Sequence, residues 1–571
     1  MKSFFHLTLI ILFFSGGLLA QNAASPLMKS DVFQDEYKNS VILLAEKNSV
    51  GDVTMVRSYK GSMLSQGEGF YIENYDANLK FKKAFDYEMK HPNYQKYNLI
   101  LGVFSMKNNL HFIEFYYDLN EKYFVCVDNM LSEDFKTSKK ELFRLSREEM
   151  KSLGYFDLQS KFYKRSKQIW TNENNGDLYA EDESGRLNDF HRIFFSGDGR
   201  YNYSSLYGSG SQGSGSDITL VINEEKNAFL LALDGVQQEK DGLKLYVFDA
   251  DSNKKMDLFY TSNAPDRKCF FENIQLAEHG EAVYLVSKEY TADAKKKTQG
   301  GKYFFEFTKI TDTKNTSATI DTQEHFIGNL KTVYHNNELI ILGFYSDVKD
   351  FKYSGISCFK LDPVTLQLKN TNYNPFTKQF LFDKYGDKSS STLKNISFKN
   401  VFFTENNDII FNAEENYIMV SPNAMAPGGG MGGGGTIHFC YDDIVIAKLN
   451  PEGKLLWARN INKKQSTVDD DNSFISYTAA QNKDKTQLFL NTKDKIKKLR
   501  NDRIEFGQTS KNKSNLNQIT INANGDFDYQ EILDDEQNEV PFMVSRGAVI
   551  NNSVYFLGRK GKNKQLLKIT L

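Results

Sequence analysis

LKTVYHNNELIILGFYSD (330–347), followed by ISCFKLDPVTLQL (356–368), holds the pattern that decides the fold. LKTVYH alternates apolar and polar side chains, as a half-buried strand does, and ends in Asn336-Asn337. That dipeptide tolerates a positive φ and suits a two-residue hairpin. ELIILGFYS then runs almost wholly apolar, the mark of a strand buried on both faces. After an insert comes ISCFKL, and then Asp362-Pro363-Val364-Thr365, where proline presets φ at the second turn position. LQLKNT supplies a fourth strand. The unit is a four-stranded antiparallel meander, its strands counted one to four from the inside outward.

The unit recurs. ENNDIIFNAEE (405–415) with YDDIVIAKLNPEGKLLWARNI (441–461) repeats it closely, and the same template fits 218–261, 270–312 and 475–533. It also fits 99–131, and 54–85 preceded by VILLAEK (41–47). Radial repetition of four-stranded sheets is a β-propeller, so the expected fold is all-β with eight blades favoured and seven to nine allowed by the count. The blades fall at about 41–87, 97–150, 217–262, 269–322, 330–380, 396–462, 473–533 and 543–571. The last ends at Leu571 after three strands, which predicts closure by pairing of the two termini: residues 30–40 complete it, with Val32–Tyr37 as the donor. Residues 151–216 match no unit and read as an insertion or a divergent blade. No Gly-Gly, Trp-Asp or Asp-box signature repeats, so kelch, WD40 and sialidase-type propellers match poorly.

A chain of 571 residues exceeds one ordinary compact core, but a ring of repeats keeps 21–571 in a single domain. Lys2, the apolar run Phe4–Phe14 and Leu18-Leu19-Ala20 before Gln21 read as a signal peptide over 1–20. No Cys follows that run, so a lipid anchor is not expected, and no later apolar stretch is long enough to span a bilayer. The mature protein is therefore expected in the periplasm, on the outer surface or outside the cell. A net charge of −2 excludes a nucleic-acid partner recognised by bulk charge. Cys126, Cys269, Cys358 and Cys440 are far apart and sit in or beside apolar strand patterns, which fits buried thiols better than a disulfide framework or a metal site.

YDDIVIAKLNPEGKLLWARNINKKQ (441–465), ELIILGFYSD (338–347) and SVYFLGRKGK (553–562) resemble segments of uncharacterised secreted β-propeller-like repeat proteins of Bacteroidota-type bacteria. The resemblance covers roughly 217–571 and, more loosely, 41–150; residues 151–216 depart from it. It implies a repeat fold and export in a Gram-negative bacterium, and carries over no catalytic residues.

Loop lengths sort the two faces. Turns between strands one and two are minimal, at His279-Gly280, Asn336-Asn337, Asn406-Asn407 and Asn551-Asn552. Those between strands three and four are equally tight, at Asp362–Thr365, Asn450–Gly453 and Asn522–Gly525. Inserts between strands two and three are long: Thr291–Gly301, Ser346–Gly355, Ser421–Phe439 and Lys493–Asn515. These emerge on one face beside the blade-to-blade connections, and repeat proteins gather insertions on the binding face. Tyr345, Asp347, Asp350 and Tyr353 in one insert could stack a sugar and hydrogen-bond its hydroxyls. Lys495, Lys497, Lys498 and Arg500, with Lys493 and Arg503, make another insert basic. Ile496 and Leu499 at i, i+3 predict a short amphipathic helical turn there, suited to an acidic glycan or protein.

Other motifs carry less. The glycine run 428–435 lacks the Lys-Ser/Thr and following helix of a phosphate cradle and reads as a flap; GSGSQGSGS (208–216) reads as a linker. Asp249, Asp251 and Asn253 follow a calcium-loop spacing, but Lys254 replaces the required Gly and no Glu closes the loop. Seven histidines after the leader are scattered, without HExxH, GxSxG or paired-carboxylate motifs. No catalytic residue, metal or cofactor is named. The reading is an exported binding module that holds a protein or glycan on its long-loop face. The alternatives are a polysaccharide hydrolase or lyase built on the propeller and a structural part of a cell-surface assembly.

Overall fold

The two middle strands of a unit are its most deeply buried, and Gly355–Leu361 is buried throughout. In Glu338–Ser346 every residue after Glu338 is buried, whereas the outer strand Phe81–Glu88 is mostly exposed. Apolar runs therefore mark the middle of each sheet and polar alternation marks its rim. The computed structural model describes residues 26–571 apart from 61–67, 91, 154–217, 238–239, 263–268, 291–302, 324, 349–351, 387–392, 394, 422–435, 469–471, 494–495 and 509–513. The leader 1–20 and the glycine-rich stretches 208–216 and 428–435 thus lie outside the described residues.

The strands form eight antiparallel blades around one axis, at 39–88, 95–146, 218–261, 269–320, 326–375, 396–461, 478–533 and 548–570, here blades 1 to 8. Among the described residues the larger apolar clusters number eight, and each joins two consecutive blades. Phe70 meets Phe112 at 5.0 Å between blades 1 and 2, Phe344 meets Phe398 at 4.8 Å between blades 5 and 6, and Phe489 meets Phe556 at 5.7 Å between blades 7 and 8. Burying each such side chain contributes about 1.5–3 kcal/mol, so the core is a ring of interfaces. Blades 2 and 3 pack directly on one another through Phe104 and Phe229, 5.2 Å apart, which leaves the ring no place for a further blade between them. Among the described residues two short helices sit in connections: α1 at Arg147–Ser152 and α2 at Lys378–Tyr385.

Neighbouring blades are also stitched by one recurring bond. A side chain near a blade's outer edge donates to a carbonyl in the next blade's three–four turn. Lys83 donates to Glu133 O, Lys140 to Asp251 O, Lys309 to Pro363 O, Asn372 to Glu452 O, Trp457 Nε1 to Ala523 O and Lys568 to Ala77 O, all at 2.6–3.1 Å. The tight turns need left-handed residues: Asn336 and Asn337 of a one–two turn have φ of 48° and 57°, and Gly525 of a three–four turn has 86°. The Asp249 carboxylate, at a calcium-like spacing in the sequence, accepts from the backbone N–H of Asp251 and of Asn253 and so shapes a turn.

The ring is closed by the N-terminus, as expected, but the principal donor lies upstream of Val32–Tyr37. Leu27–Lys29 pairs antiparallel with the terminal strand Asn563–Thr570, and Phe33–Gln34 adds a second short pairing with Lys564 and Asn563. Past residue 34 the chain leaves blade 8 for blade 1, and Asp35 turns inward to Arg57. That guanidinium, 1% exposed, bonds Asp35 and Glu73 at 2.6–3.0 Å. The rings of Phe33 and Tyr71 lie 5.3 and 5.0 Å from it. Lys564 Nζ of blade 8 stands 3.7 Å from Asp35, and burial pushes its amine down to about 8 against the pull of that carboxylate. One ionic knot thus holds the strap and both closing blades.

Cys126, Cys358 and Cys440 are buried and unpaired. His111, on the second strand of blade 2, is fully buried with its Nδ1 2.7 Å from Asp128 Oδ2.

Candidate functional site

Blade 6 departs from the common unit. Its second and third strands, Ile409–Ser421 and Thr436–Leu449, are 13 and 14 residues long. Pairing continues from Asn416↔Tyr441 to Ser421↔Thr436, beyond the reach of the outer strand, which stops at Ile461 opposite Ile444. Gln465–Thr467 pairs with Phe439–Tyr441 along the base of this ribbon, so only the pairs from Met419↔His438 to Ser421↔Thr436 run free, a projection of roughly 10 Å at about 3.4 Å per residue. A β-bulge between Glu414 and Asn416 separates ribbon from blade and re-aims Glu415.

The base of the ribbon is braced by α2. Thr377 caps that helix by accepting from Phe380 N, and Gly386 ends it with φ 64°. Lys384 Nζ lies 2.8 Å from Glu415 Oε2 and 2.6 Å from Asp443 Oδ2, one ammonium between two carboxylates. Burial pushes the Glu415 carboxyl up to about 7, with the Asp443 charge adding to the rise and Lys384 opposing it. Arg459 grips Asp383 through Nε at 2.6 Å and Nη2 at 3.2 Å. Arg503 donates to the carbonyls of Lys384 (2.8 Å) and Asp383 (3.3 Å) at the helix C-terminus, where partial negative charge collects. One layer inward, Glu414 meets Lys463 at 2.9 Å and accepts from Ser476 Oγ at 2.6 Å. Burial opposes ionisation of Glu414, but the ammoniums of Lys399 and Lys463 hold its carboxyl below the ordinary range.

The basic insert is not helical. Lys497–Lys498 pairs antiparallel with Ile504–Glu505, and the hairpin turns through Asn501 and Asp502 at φ 62° and 55°. Ile496 packs, with Ile504, on the apolar cluster between blades 6 and 7, while Leu499 is half-buried and donates its N–H to Arg503 O across the hairpin. The left-handed Asn-Asp pair decided this, since two consecutive positive φ values make a hairpin turn. Lys497 pairs with Glu505 at 2.8 Å, while Lys498 and Arg500 are exposed without an ion pair among the described residues. Lys495 lies outside the described residues.

In the blade 5 insert the structure separates the four residues. Tyr345 and Tyr353 are 5% and 1% exposed, so their rings belong to the core and offer no open face to a sugar. Tyr353 packs at 5.9 Å from Phe344 and fills the notch above Gly328. Asp350 lies outside the described residues. Asp347 is exposed, and its Oδ1 stands 2.6 Å from Nδ1 of His325, from the preceding blade connection. The His325 ring lies 5.0 and 4.1 Å from those of Tyr345 and Tyr373. Nothing in the spacing of the sequence pairs His325 with Asp347, 22 positions apart; α2 went unread as well, though Thr377 and Gly386 at its ends are the capping signals that could have found it.

The axis of the ring is hollow. Inner strands of successive blades border two cavities of about 510 and 390 Å3 at the short-turn end. Among the described residues no group of three or more His, Cys, Asp or Glu is placed to hold a metal ion, and no helix is long and apolar enough to cross a membrane.

No family model matches this chain, and no curated protein does. Among solved structures it is similar to an uncharacterised protein from Listeria monocytogenes, at 8% identity and a TM-score of 0.35, over 82% of this chain and 90% of that one. It is also similar to prolyl oligopeptidase B from Galerina marginata, at 8% identity and a TM-score of 0.36, over 92% of this chain and 55% of that one. A third likeness is to the α-L-arabinanase of Penicillium chrysogenum, at 8% identity and a TM-score of 0.25, over 64% of this chain and 98% of that one. This chain spans about half the length of the peptidase. Likeness this low says nothing of substrate or activity.

Proposed function

We propose that the protein is an exported binding module that holds a protein or glycan on its long-loop face. The braced blade 6 ribbon carries this reading: a projecting wall held at its base by Lys384, Glu415 and Asp443 is already ordered before a partner arrives. Pre-ordering removes part of the entropic cost of association. Lys498 and Arg500, exposed on the neighbouring hairpin, favour an acidic partner. Export rests on the leader-like residues 1–20 and on the resemblance to secreted repeat proteins. The test is a glycan array and a surface-proteome pulldown with protein starting at Gln21, each repeated with K497E/K498E/R500E. Loss of about tenfold or more in affinity for an acidic partner supports the reading. Equal capture by both proteins sinks it.

A second reading, a polysaccharide hydrolase or lyase, has one observation in its favour. The 2.6 Å pair of His325 and Asp347 orients an imidazole on the same face. Polysaccharide cleavage that disappears in His325→Ala would support it, and cleavage that survives would refute it.

A further inference from the structure

The short-turn mouth of the channel lies on the face opposite the ribbon. Its larger cavity, about 510 Å3, is bordered by the inner strands of blades 2 to 6 and is of a size that takes small molecules. The charged groups of its lining are matched already. Lys226, in the one–two turn of blade 3, pairs with Glu46 of blade 1. Lys399 turns its ammonium to Ser476 Oγ at 2.7 Å and Tyr477 O at 3.0 Å, away from the cavity. Glu224 stands 3.3 Å from Nδ1 of His335, and Lys331 is engaged as well.

The polar groups still open are neutral. Gln275, on the inner strand of blade 4, and Asn400, on that of blade 6, line the cavity and are half-buried. Among the described residues neither carboxamide makes a hydrogen bond, and neither is sealed from solvent. Their neighbours show the difference. Asn273, on the same side of its strand as Gln275, donates to Leu330 O at 3.4 Å and accepts from Thr332 N at 3.3 Å, both in blade 5. Gln275 lies two residues nearer the mouth and has no such partner among the described residues. Asn400 follows a β-bulge at Lys399, which sends the lysine toward blade 7 and leaves the amide unpaired. Ile222, Val333 and Phe402, each half-buried, give part of the wall an apolar surface.

A carboxamide offers both donors and an acceptor, which suits a hydroxyl that donates and accepts at once. A sugar ring carries a rim of such hydroxyls and an apolar C–H face. A charged ligand, by contrast, would lose its hydration here with no unpaired countercharge to replace it. We propose that this cavity binds a neutral sugar, with the carboxamides of Gln275 and Asn400 on its hydroxyls and Ile222, Val333 and Phe402 against its C–H face. The site is independent of the long-loop face.

Isothermal titration of the mature protein with glucose, galactose, mannose, cellobiose and lactose tests the proposal. At least one should saturate by about 10 mM, where a millimolar site would be filled. For the hexose that binds best, its uronic acid and its amino sugar should each bind about tenfold more weakly. Gln275→Leu and Asn400→Leu should each weaken the sugar about fivefold or more. Neither amide bonds to the protein, so both variants should keep Tm within about 1 °C of the parent. K497E/K498E/R500E should bind the sugar as the parent does, which separates this site from the long-loop reading. No saturation by any of these sugars overturns the proposal. So does a uronic acid or amino sugar that binds as tightly as its neutral hexose, or a pair of folded leucine variants that bind like the parent.

Discussion

Replacing Arg57 by Met should loosen the closed ring, and the size of the effect follows from what surrounds the guanidinium. Arg57 makes five hydrogen bonds, to Asp35, Glu73 and Ser40, and is 1% exposed. Methionine keeps much of the volume but strands two buried carboxylates, leaving Asp35 with the Ser40 hydroxyl and Lys564 at 3.7 Å, and Glu73 with the Tyr75 hydroxyl as its neutral donor. Breaking a buried pair from one side costs about 3–5 kcal/mol, because the buried charge left behind loses its close countercharge and hydroxyl donors replace it only in part. If all 571 residues unfold together, the unfolding entropy is about 1.2 kcal/mol per kelvin, and such a loss lowers Tm by only about 3 °C. Denaturant unfolding at fixed temperature is therefore the better assay, with limited proteolysis of 26–38 reporting release of the strap. The triple variant Arg57→Met, Asp35→Asn, Glu73→Gln removes the stranded charges and should recover more than half of the loss. A single variant within about 1 kcal/mol of the parent would refute the ionic account of closure. A triple variant no more stable than the single one would do the same.

Glu415 should make stability fall as pH rises. Its folded pKa, about 7, stands above the unfolded value near 4.5, so the folded state holds the proton more tightly. The contribution is complete below about pH 4.5 and is lost as pH climbs through 7, worth at most about 3 kcal/mol. Glu415→Gln should remove that slope in denaturant midpoints between pH 5 and 8; an unchanged slope would assign it elsewhere. Gly525→Ala places a Cβ 2.7 Å from the Trp457 ring at φ 86° and should cost about 1–3 kcal/mol. Fluorescence of Trp457, one of two tryptophans, should report the disturbed stitch between blades 6 and 7, and an unshifted spectrum would argue against it. Gly328→Ala meets the buried Tyr353 hydroxyl and should destabilise similarly, with Tyr353→Phe relieving part of the strain in a double-mutant cycle. Additive losses in that cycle would contradict the notch packing.

Much of the ring could be read from local pattern. A run such as ELIILGFYS declares a strand covered on both sides, and Asn336-Asn337 or Asn522–Gly525 declares the backbone sign of a turn, whatever lies around it. Short-range misreadings were equally local in origin. Ile496 and Leu499 have helical spacing, but the two left-handed residues after them impose a hairpin. Tyr345 and Tyr353 look like a recognition pair beside two aspartates, yet each is needed to fill core. Aromatic residues in an insert carry no mark of which way they point.

Sequence alone determined a radial stack of four-stranded sheets, about eight in number, with its turns short on one side and long on the other. Those properties arise from side-chain alternation and turn chemistry, which act over a few residues. Only the tertiary structure decided that Leu27–Lys29 seals blade 8, that Lys384 stands between Glu415 and Asp443, and that Lys226 of blade 3 reaches Glu46 of blade 1. Each of these joins groups from distant parts of the chain, and their charges, burial and enclosed space exist only once the ring has closed.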